Sequence, residues 1–175
     1  MKNPLFDFDM NALHDALDTE RCARHLSWAE LAVEINEPFL GTPSIPISVT
    51  TIKNMPAKHS VTSAVVLQVL RWLGRSPESF LSGRPNLVPT PTETLSSPEL
   101  SRILRFDTRA IHAALNAERV KKRMTWSQVA DELPGFTESM LTNLATGPLI
   151  GFPRVMMITQ WLCSPAATFV RDCSR

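Results

Sequence analysis

The chain contains one sequence repeat, present in two copies. Residues 8–35 read FDMNALHDALDTERCARHLSWAELAVEI, and residues 106–133 read FDTRAIHAALNAERVKKRMTWSQVADEL, with 11 of 28 positions identical and no gap. The match continues beyond an insertion, where Trp72 aligns with Trp161, and each copy closes on a proline followed by an aromatic residue. Internal repetition means that one supersecondary unit is built more than once. The sequence therefore predicts two similar units in one chain.

The repeat also predicts the boundaries of these units. The first copy occupies residues 1–81 and the second residues 99–175. Between them, residues 82–98 are rich in Pro, Ser and Thr without a helical period, which is typical of a linker. The first copy carries an inserted loop at 36–46, where the second has only Pro134 and Gly135.

Each copy is predicted to form five short helices, so we expect an all-α fold. A capping box is predicted at the start of the second helix, from Ser27 and Glu30 in copy one and from Thr125 and Gln128 in copy two. Ser48 and Thr137 are suitable N-caps for the third helix. The fourth helix carries an apolar stripe, and the fifth is predicted to span only a turn or two.

Composition excludes several classes of protein. Apolar residues make up 43% of the chain and charged residues 20%, and no apolar run approaches the ~18 residues of a membrane span. The three cysteines show no disulfide or metal-ligand spacing, which favours a reducing cytoplasm, and Cys163 is expected to be a core residue. His14 and His112 are interpreted as surface or core-edge residues. Because catalytic and cofactor-binding motifs are absent, we expect no enzyme, no cofactor and no metal.

The charge is unevenly distributed. The net charge is +1, but residues 1–98 carry 8 basic and 10 acidic side chains, giving −2, whereas residues 99–175 carry 10 and 7, giving +3. An anionic partner should therefore favour the second copy.

The order of motifs resembles a known family. A helix is followed by [Ser/Thr]-x-x-[Glu/Gln]-[Leu/Val]-Ala, a turn, and a capped helix with an apolar residue four positions after its cap. This order is similar to the phage-repressor-like helix-turn-helix family of Cro and lambda-repressor type, also called XRE-like, over about four-fifths of the chain. The resemblance implies two tandem five-helix domains of this type in a DNA-binding transcriptional regulator of bacteria or phages, which reads two half-sites with one chain.

The resemblance further implies which residues face DNA. In this family the third helix enters the major groove and is called the recognition helix. The positions that would face bases there are Val49, Thr50, Lys53 and Asn54 in copy one and Glu138, Ser139, Thr142 and Asn143 in copy two. Contacts to the phosphate backbone would come from Ser27, Lys58, His59, Lys121, Lys122, Thr125 and Arg154.

Other features of the sequence favour a different function. Trp28 and Trp126 stand where the family often has a phosphate-contacting Gln, and packing is the favoured interpretation for them. The third helices are poor in cations, and the copy-one turn is long. Arg21 and Arg119 lack the acidic partner usual in the family, because Pro56 and Ala145 occupy its place. The alternative is a protein–protein interaction module or a homodimer built on degenerate helix-turn-helix units.

Overall fold

The computed structural model describes residues 4–57, 62–83, 104–147 and 150–172, and the described part is mostly helical, as predicted. Copy one contains α1 (Met10–Ala23), α2 (Trp28–Asn36), α3 (Val49–Lys53) and α4 (Ser63–Leu73). Copy two contains α5 (Thr108–Lys121), α6 (Trp126–Glu132), α7 (Glu138–Thr142) and α8 (Phe152–Trp161). The predicted fifth helices are 3₁₀ turns, Pro77–Phe80 and Ala166–Phe169.

The predicted helix starts are confirmed by their caps. The Ser27 hydroxyl accepts from the Glu30 N–H at 3.2 Å, and the Glu30 carboxylate accepts from the Ser27 N–H at 2.7 Å. Thr125 and Gln128 form the same box at 3.2 and 2.8 Å. Ser48 and Thr137 cap α3 and α7. Each cap satisfies an N–H that the first helical turn leaves without a partner.

Only one of the two capping boxes contains a titratable side chain, since the box of α2 uses Glu30 and the box of α6 uses Gln128. The Ser27 N–H bonded to its carboxylate lowers the pKa of Glu30 below the ordinary 4.5. Because the folded pKa is lowered, this stabilisation is present above pH 4.5 and is lost as the pH falls through the lowered pKa. In urea unfolding, we expect the stability advantage of wild type over Glu30→Gln to be constant above pH 4.5 and to shrink as the pH falls below 4.5. The reciprocal change Gln128→Glu should add a similar acid sensitivity, and an advantage independent of pH would contradict this account.

Four helices end in a residue with positive φ. His25 and Arg123 occupy equivalent places after α1 and α5, each with φ of 56°, and Gly74 and Cys163 occupy equivalent places after α4 and α8. Such residues allow the last helical carbonyls to be capped. The side chain of Cys163 is exposed at this helix end. The expectation that Cys163 lies in the core is therefore wrong, because an apolar sequence context does not reveal a helix terminus.

A small sheet is an addition to the predicted all-α fold. Strand β1 (Leu104–Phe106) pairs antiparallel with β2 (Val170–Asp172), with Arg105 opposite Arg171. In copy one, the equivalent segments meet at a single bridge between Phe8 and Leu81. In each copy, the segment before the first helix is thus tied to the segment after the last one.

One buried apolar cluster extends through both copies. It includes Leu13, Leu17, Leu31 and Ile52 from copy one and their counterparts Ile111, Leu115, Val129 and Leu141 from copy two, all fully buried. Phe152, at the start of α8, lies 4.7 Å from the Phe8 ring and 5.6 Å from the Phe106 ring. The two copies are therefore packed together through apolar side chains.

The insertion in copy one has its own anchors. α2 runs on to Asn36 and is followed by a 3₁₀ turn, Glu37–Phe39, which buries Phe39 to 1% exposure. The Asn36 side chain accepts from the Ile47 N–H at 2.8 Å and donates to the Ile47 carbonyl at 2.9 Å. These bonds close the loop at its base, directly before the cap of α3.

Some predicted features lie outside the described residues. They include Lys58, His59 and the linker beyond Gly83. Within the described ranges, every helix is too short or too polar to cross a membrane.

Candidate nucleic-acid interface

The third helices α3 and α7 present matching sets of side chains to solvent. In each, one residue of the middle turn is fully buried, Ile52 or Leu141, and anchors the helix to the core. All eight positions predicted to face bases are exposed. They are Val49, Thr50, Lys53 and Asn54 in copy one and Glu138, Ser139, Thr142 and Asn143 in copy two. These positions are exposed although both copies are present in the structure.

The amide of Asn143 is engaged within its own helix. Its Nδ2 donates to the Ser139 carbonyl at 2.9 Å and lies 3.3 Å from the Ser139 hydroxyl. The Oδ1 atom has no donor among the described residues, so it can accept a bond from a ligand. A bidentate contact to adenine would require Nδ2 to exchange its internal acceptor for the base.

The start of α2 and of α6 carries a stack of three side chains that the repeat duplicates. Trp28 stacks on His14 with ring centroids 5.5 Å apart, and the Arg21 guanidinium lies 4.6 Å from the Trp28 ring. In copy two, Trp126 lies 5.3 Å from His112, and Arg119 lies 4.8 Å from the Trp126 ring. Both tryptophans are half-buried and pack against the core, which confirms the interpretation that they are packed.

Arg21 and Arg119 also form hydrogen bonds whose partners the sequence did not identify. Arg21 donates to Asp18 at 2.6 Å and to the Leu26 carbonyl at 2.7 Å. Arg119 donates to Asn116 at 2.7 Å and to the Met124 carbonyl at 2.9 Å. Each arginine thus fixes the turn between the first two helices of its copy and covers one face of the indole.

The stack in copy one reaches the third helix as well. His14 Nε2 donates to the carbonyl of Lys53 at 3.0 Å, at the end of α3. The side chains that hold Trp28 therefore also fix the position of α3.

A second duplicated cluster joins the end of the first helix to α4 or α8. In copy one, Arg24 lies 4.6 Å from the Trp72 ring, and the Trp72 indole N–H donates to Glu34 at 2.8 Å. In copy two, Lys122 Nζ lies 4.2 Å from the Trp161 ring, and the Trp161 indole N–H donates to Glu132 at 2.8 Å. These three residues of each copy stabilise the packing of its helices.

This cluster occupies part of the predicted phosphate-binding set. Lys122 lies 3.6 Å and Lys121 3.7 Å from carboxylate oxygens of Glu118. Ser27 and Thr125 are exposed at their helix starts. Lys53 and Arg154 are exposed, and neither forms an ion pair with an acidic side chain in the described part of the chain. Among the predicted DNA-contacting cations that the structure describes, Lys53 and Arg154 are therefore the two without an acidic partner.

The comparisons with known proteins add no relative. No family model, no curated protein and no solved structure matches the chain.

The two copies differ in the polarity of some equivalent exposed positions. Copy one exposes Val33 (66%), Leu40 (62%), Ile45 (86%) and Val49 (37%). In copy two, the positions of Val33 and Val49 hold Asp131 and Glu138, and the insertion is missing. Copy one thus exposes apolar side chains on α2, on the insertion and on α3, at positions that are acidic or missing in copy two.

Sequence reasoning missed the roles of Glu34, Glu132, Trp72 and Trp161 in the second cluster. A signal was present, because these residues are identical in the two copies, as are Glu20 and Glu118 beside them. An identity between copies at a polar position indicates a contact that both units need.

Proposed function

We propose that the chain is a DNA-binding transcriptional regulator of the cytoplasm, with two helix-turn-helix units of Cro and lambda-repressor type that read two half-sites. The observation that carries this proposal is the matched exposure of α3 and α7. Each is capped, held by one buried residue, and open along the face that bears the predicted base-contacting side chains.

The chemistry of these side chains supports contact with base edges. Asn54 and Asn143 supply an amide that suits adenine, Glu138 can accept from the amino group of cytosine, and Val49 can contact the methyl group of thymine. Thr50, Ser139 and Thr142 bond to either donors or acceptors. Lys53 can donate to a base or to a phosphate, and Arg154 supplies charge for the phosphates.

The affinity for DNA should depend steeply on salt. Each phosphate contact contributes about −0.9 to the slope of log affinity against log salt, so four contacts predict a loss on the order of 100-fold between 50 and 200 mM salt. We expect this loss for a random duplex, measured by fluorescence anisotropy. No measurable binding at the lower concentration would contradict the proposal.

Charge variants make this test specific. The double variant Lys53→Ala with Arg154→Ala should reduce the slope by about 2. Arg105→Ala removes an exposed cation on β1 that has no assigned contact with DNA, and it should leave the slope unchanged. Equal effects of both changes would mean that net charge alone, not this surface, attracts the duplex.

A protein-interaction module is the second candidate, because a specific observation favours it. Several cations of the first helices are engaged within the chain, and Leu40 and Ile45 are exposed on the insertion. Exposed apolar side chains mark protein contacts when they form a patch. This function predicts no salt-dependent DNA binding, so the same measurement distinguishes the two.

A further inference from the structure

The contacts between the two copies are reciprocal. The Gln160 side chain on α8 accepts from the Phe6 N–H at 2.8 Å and donates to the Phe6 carbonyl at 2.9 Å. In the opposite direction, the Gln68 side chain on α4 accepts from the Leu104 N–H at 3.4 Å and donates to the Leu104 carbonyl at 3.0 Å. Phe6 and Leu104 are equivalent positions of the repeat. Each copy therefore holds the lead-in segment of the other with a glutamine amide of its fourth helix.

The two glutamines are not at the same aligned position, but they share a helix face. The counterpart of Gln160 in copy one is Arg71, three residues after Gln68 and thus about one turn along the helix. The two glutamine contacts therefore involve equivalent elements, but the glutamine lies one helical turn earlier on α4 than on α8.

Equivalent elements also meet each other directly. The Glu78 carboxylate, in the 3₁₀ turn that closes copy one, accepts from the Ala166 N–H at 2.7 Å, in the 3₁₀ turn that closes copy two. The Ser63 hydroxyl, at the start of α4, lies 3.5 Å from the carbonyl of Ile150, just before α8. Contacts between like elements occur where a two-fold axis passes between two units.

Only one kind of symmetry gives this pattern. A translation or a screw would bring one patch of copy one against a different patch of copy two, with no return contact. A two-fold rotation makes the lead-in segment of each copy contact the fourth helix of the other, as observed. The interface between the copies is thus of the isologous type found in symmetric dimers.

The exposed residues of the third helices do not obey this symmetry. At equivalent places, α3 carries Val49, Thr50 and Lys53, whereas α7 carries Glu138, Ser139 and Thr142. Asn54 and Asn143 are the same. Two related surfaces thus present a shared amide and three different side chains.

We propose that the two copies form a two-fold pseudo-dimer within one chain, and that its DNA site is an inverted repeat with unequal halves. This inference rests on the proposed function. The orientation of the half-sites follows from the reciprocal interface, since the symmetry of a reader is mirrored in its operator. The inequality follows from the three differing residues, because they offer different groups to the bases.

Selection from a random duplex library with the full chain tests the orientation. The expected result is a motif of two inverted half-sites that share some base pairs and differ at others. A direct repeat or a single half-site would overturn the inference while leaving DNA binding intact. No enrichment over the starting library would instead overturn the proposed function, so the two failures are distinguishable.

Two reciprocal variants test the inequality. The triple change Val49→Glu, Thr50→Ser and Lys53→Thr makes α3 present the same four residues as α7, and the selected motif should become a palindrome of the copy-two half. The opposite triple change, Glu138→Val, Ser139→Thr and Thr142→Lys, should give a palindrome of the other half. All six positions are exposed, and the caps Ser48 and Thr137 remain.

Circular dichroism on both variants would establish that the fold is retained, and each variant serves as the check on the other. An unchanged motif from a folded variant would overturn the assignment of unequal halves to these residues. A motif that changes in both halves at once would overturn the independence of the two readers.

Discussion

Phe152→Ala should lower the free energy of unfolding by about 4 kcal/mol, since truncation of a buried phenylalanine removes its transfer free energy and leaves a cavity. Phe152 is fully buried and packs against Phe8 of copy one and Phe106 of copy two. We therefore also expect the variant to separate the unfolding of the two copies into two transitions. Urea unfolding followed by tryptophan fluorescence reports both, because Trp28 and Trp72 lie in copy one and Trp126 and Trp161 in copy two.

Phe39→Ala is the matched control for this change. Phe39 is buried to a similar degree, but it belongs to the insertion of copy one. Its truncation should cost several kcal/mol while the two copies still unfold together. A loss below about 1.5 kcal/mol for Phe152→Ala, or a single transition like that of the control, would contradict its place between the copies.

Gln68→Ala should cost about 3 kcal/mol, because the change leaves buried polar groups of Leu104 without their partner. Gln68 is only 1% exposed, Leu104 is fully buried, and the amide bonds both the N–H and the carbonyl of Leu104. Each buried group without a partner costs about 1–3 kcal/mol. Thermal or urea unfolding measures this loss.

Gln160→Ala makes the matched comparison. Gln160 bonds Phe6 in the same way, but both residues are only half-buried, so water can replace the lost amide. We expect a cost of about 1 kcal/mol there. Similar costs for the two variants would mean that burial does not determine the strength of these contacts.

Much of the fold was predictable because local signals specify it. The caps Ser27, Ser48, Thr125 and Thr137 act within four residues of chain, so the sequence alone placed four helix starts correctly. The repeat then supplied the order of elements twice. Apolar positions such as Ile52 and Leu141 follow from the helical period after those caps.

The errors and omissions concern contacts between distant residues. Strand β1 is three residues long, and its pairing with β2 depends on where copy two closes, which no local pattern indicates. The contact of Gln68 with Leu104 joins residues 36 positions apart. Cys163 was misplaced because its exposure follows from the end of α8 and not from its apolar neighbours.

The candidate site was predictable in part. The exposure of Asn54 and Asn143 follows from the phase of each third helix relative to its cap. The engagement of Lys122 with Glu118 and Trp161 was not predictable from a basic run, because it requires the α5–α8 packing. Because of that contact, Lys122 is already engaged within the chain, whereas Lys53 and Arg154 have no acidic partner among the described residues.

The bonds between Asn36 and Ile47 separate the tip of the inserted loop from the helix that follows it. Because the chain is pinned on both sides, the residues between Leu40 and Pro46 can be shortened, lengthened or exchanged for another peptide without re-aiming α3, provided that Phe39 stays in the core. Copy one thus offers a site for grafting an epitope or a tag next to its third helix, and copy two, which has only Pro134 and Gly135 in place of the inserted loop, offers none at the same place.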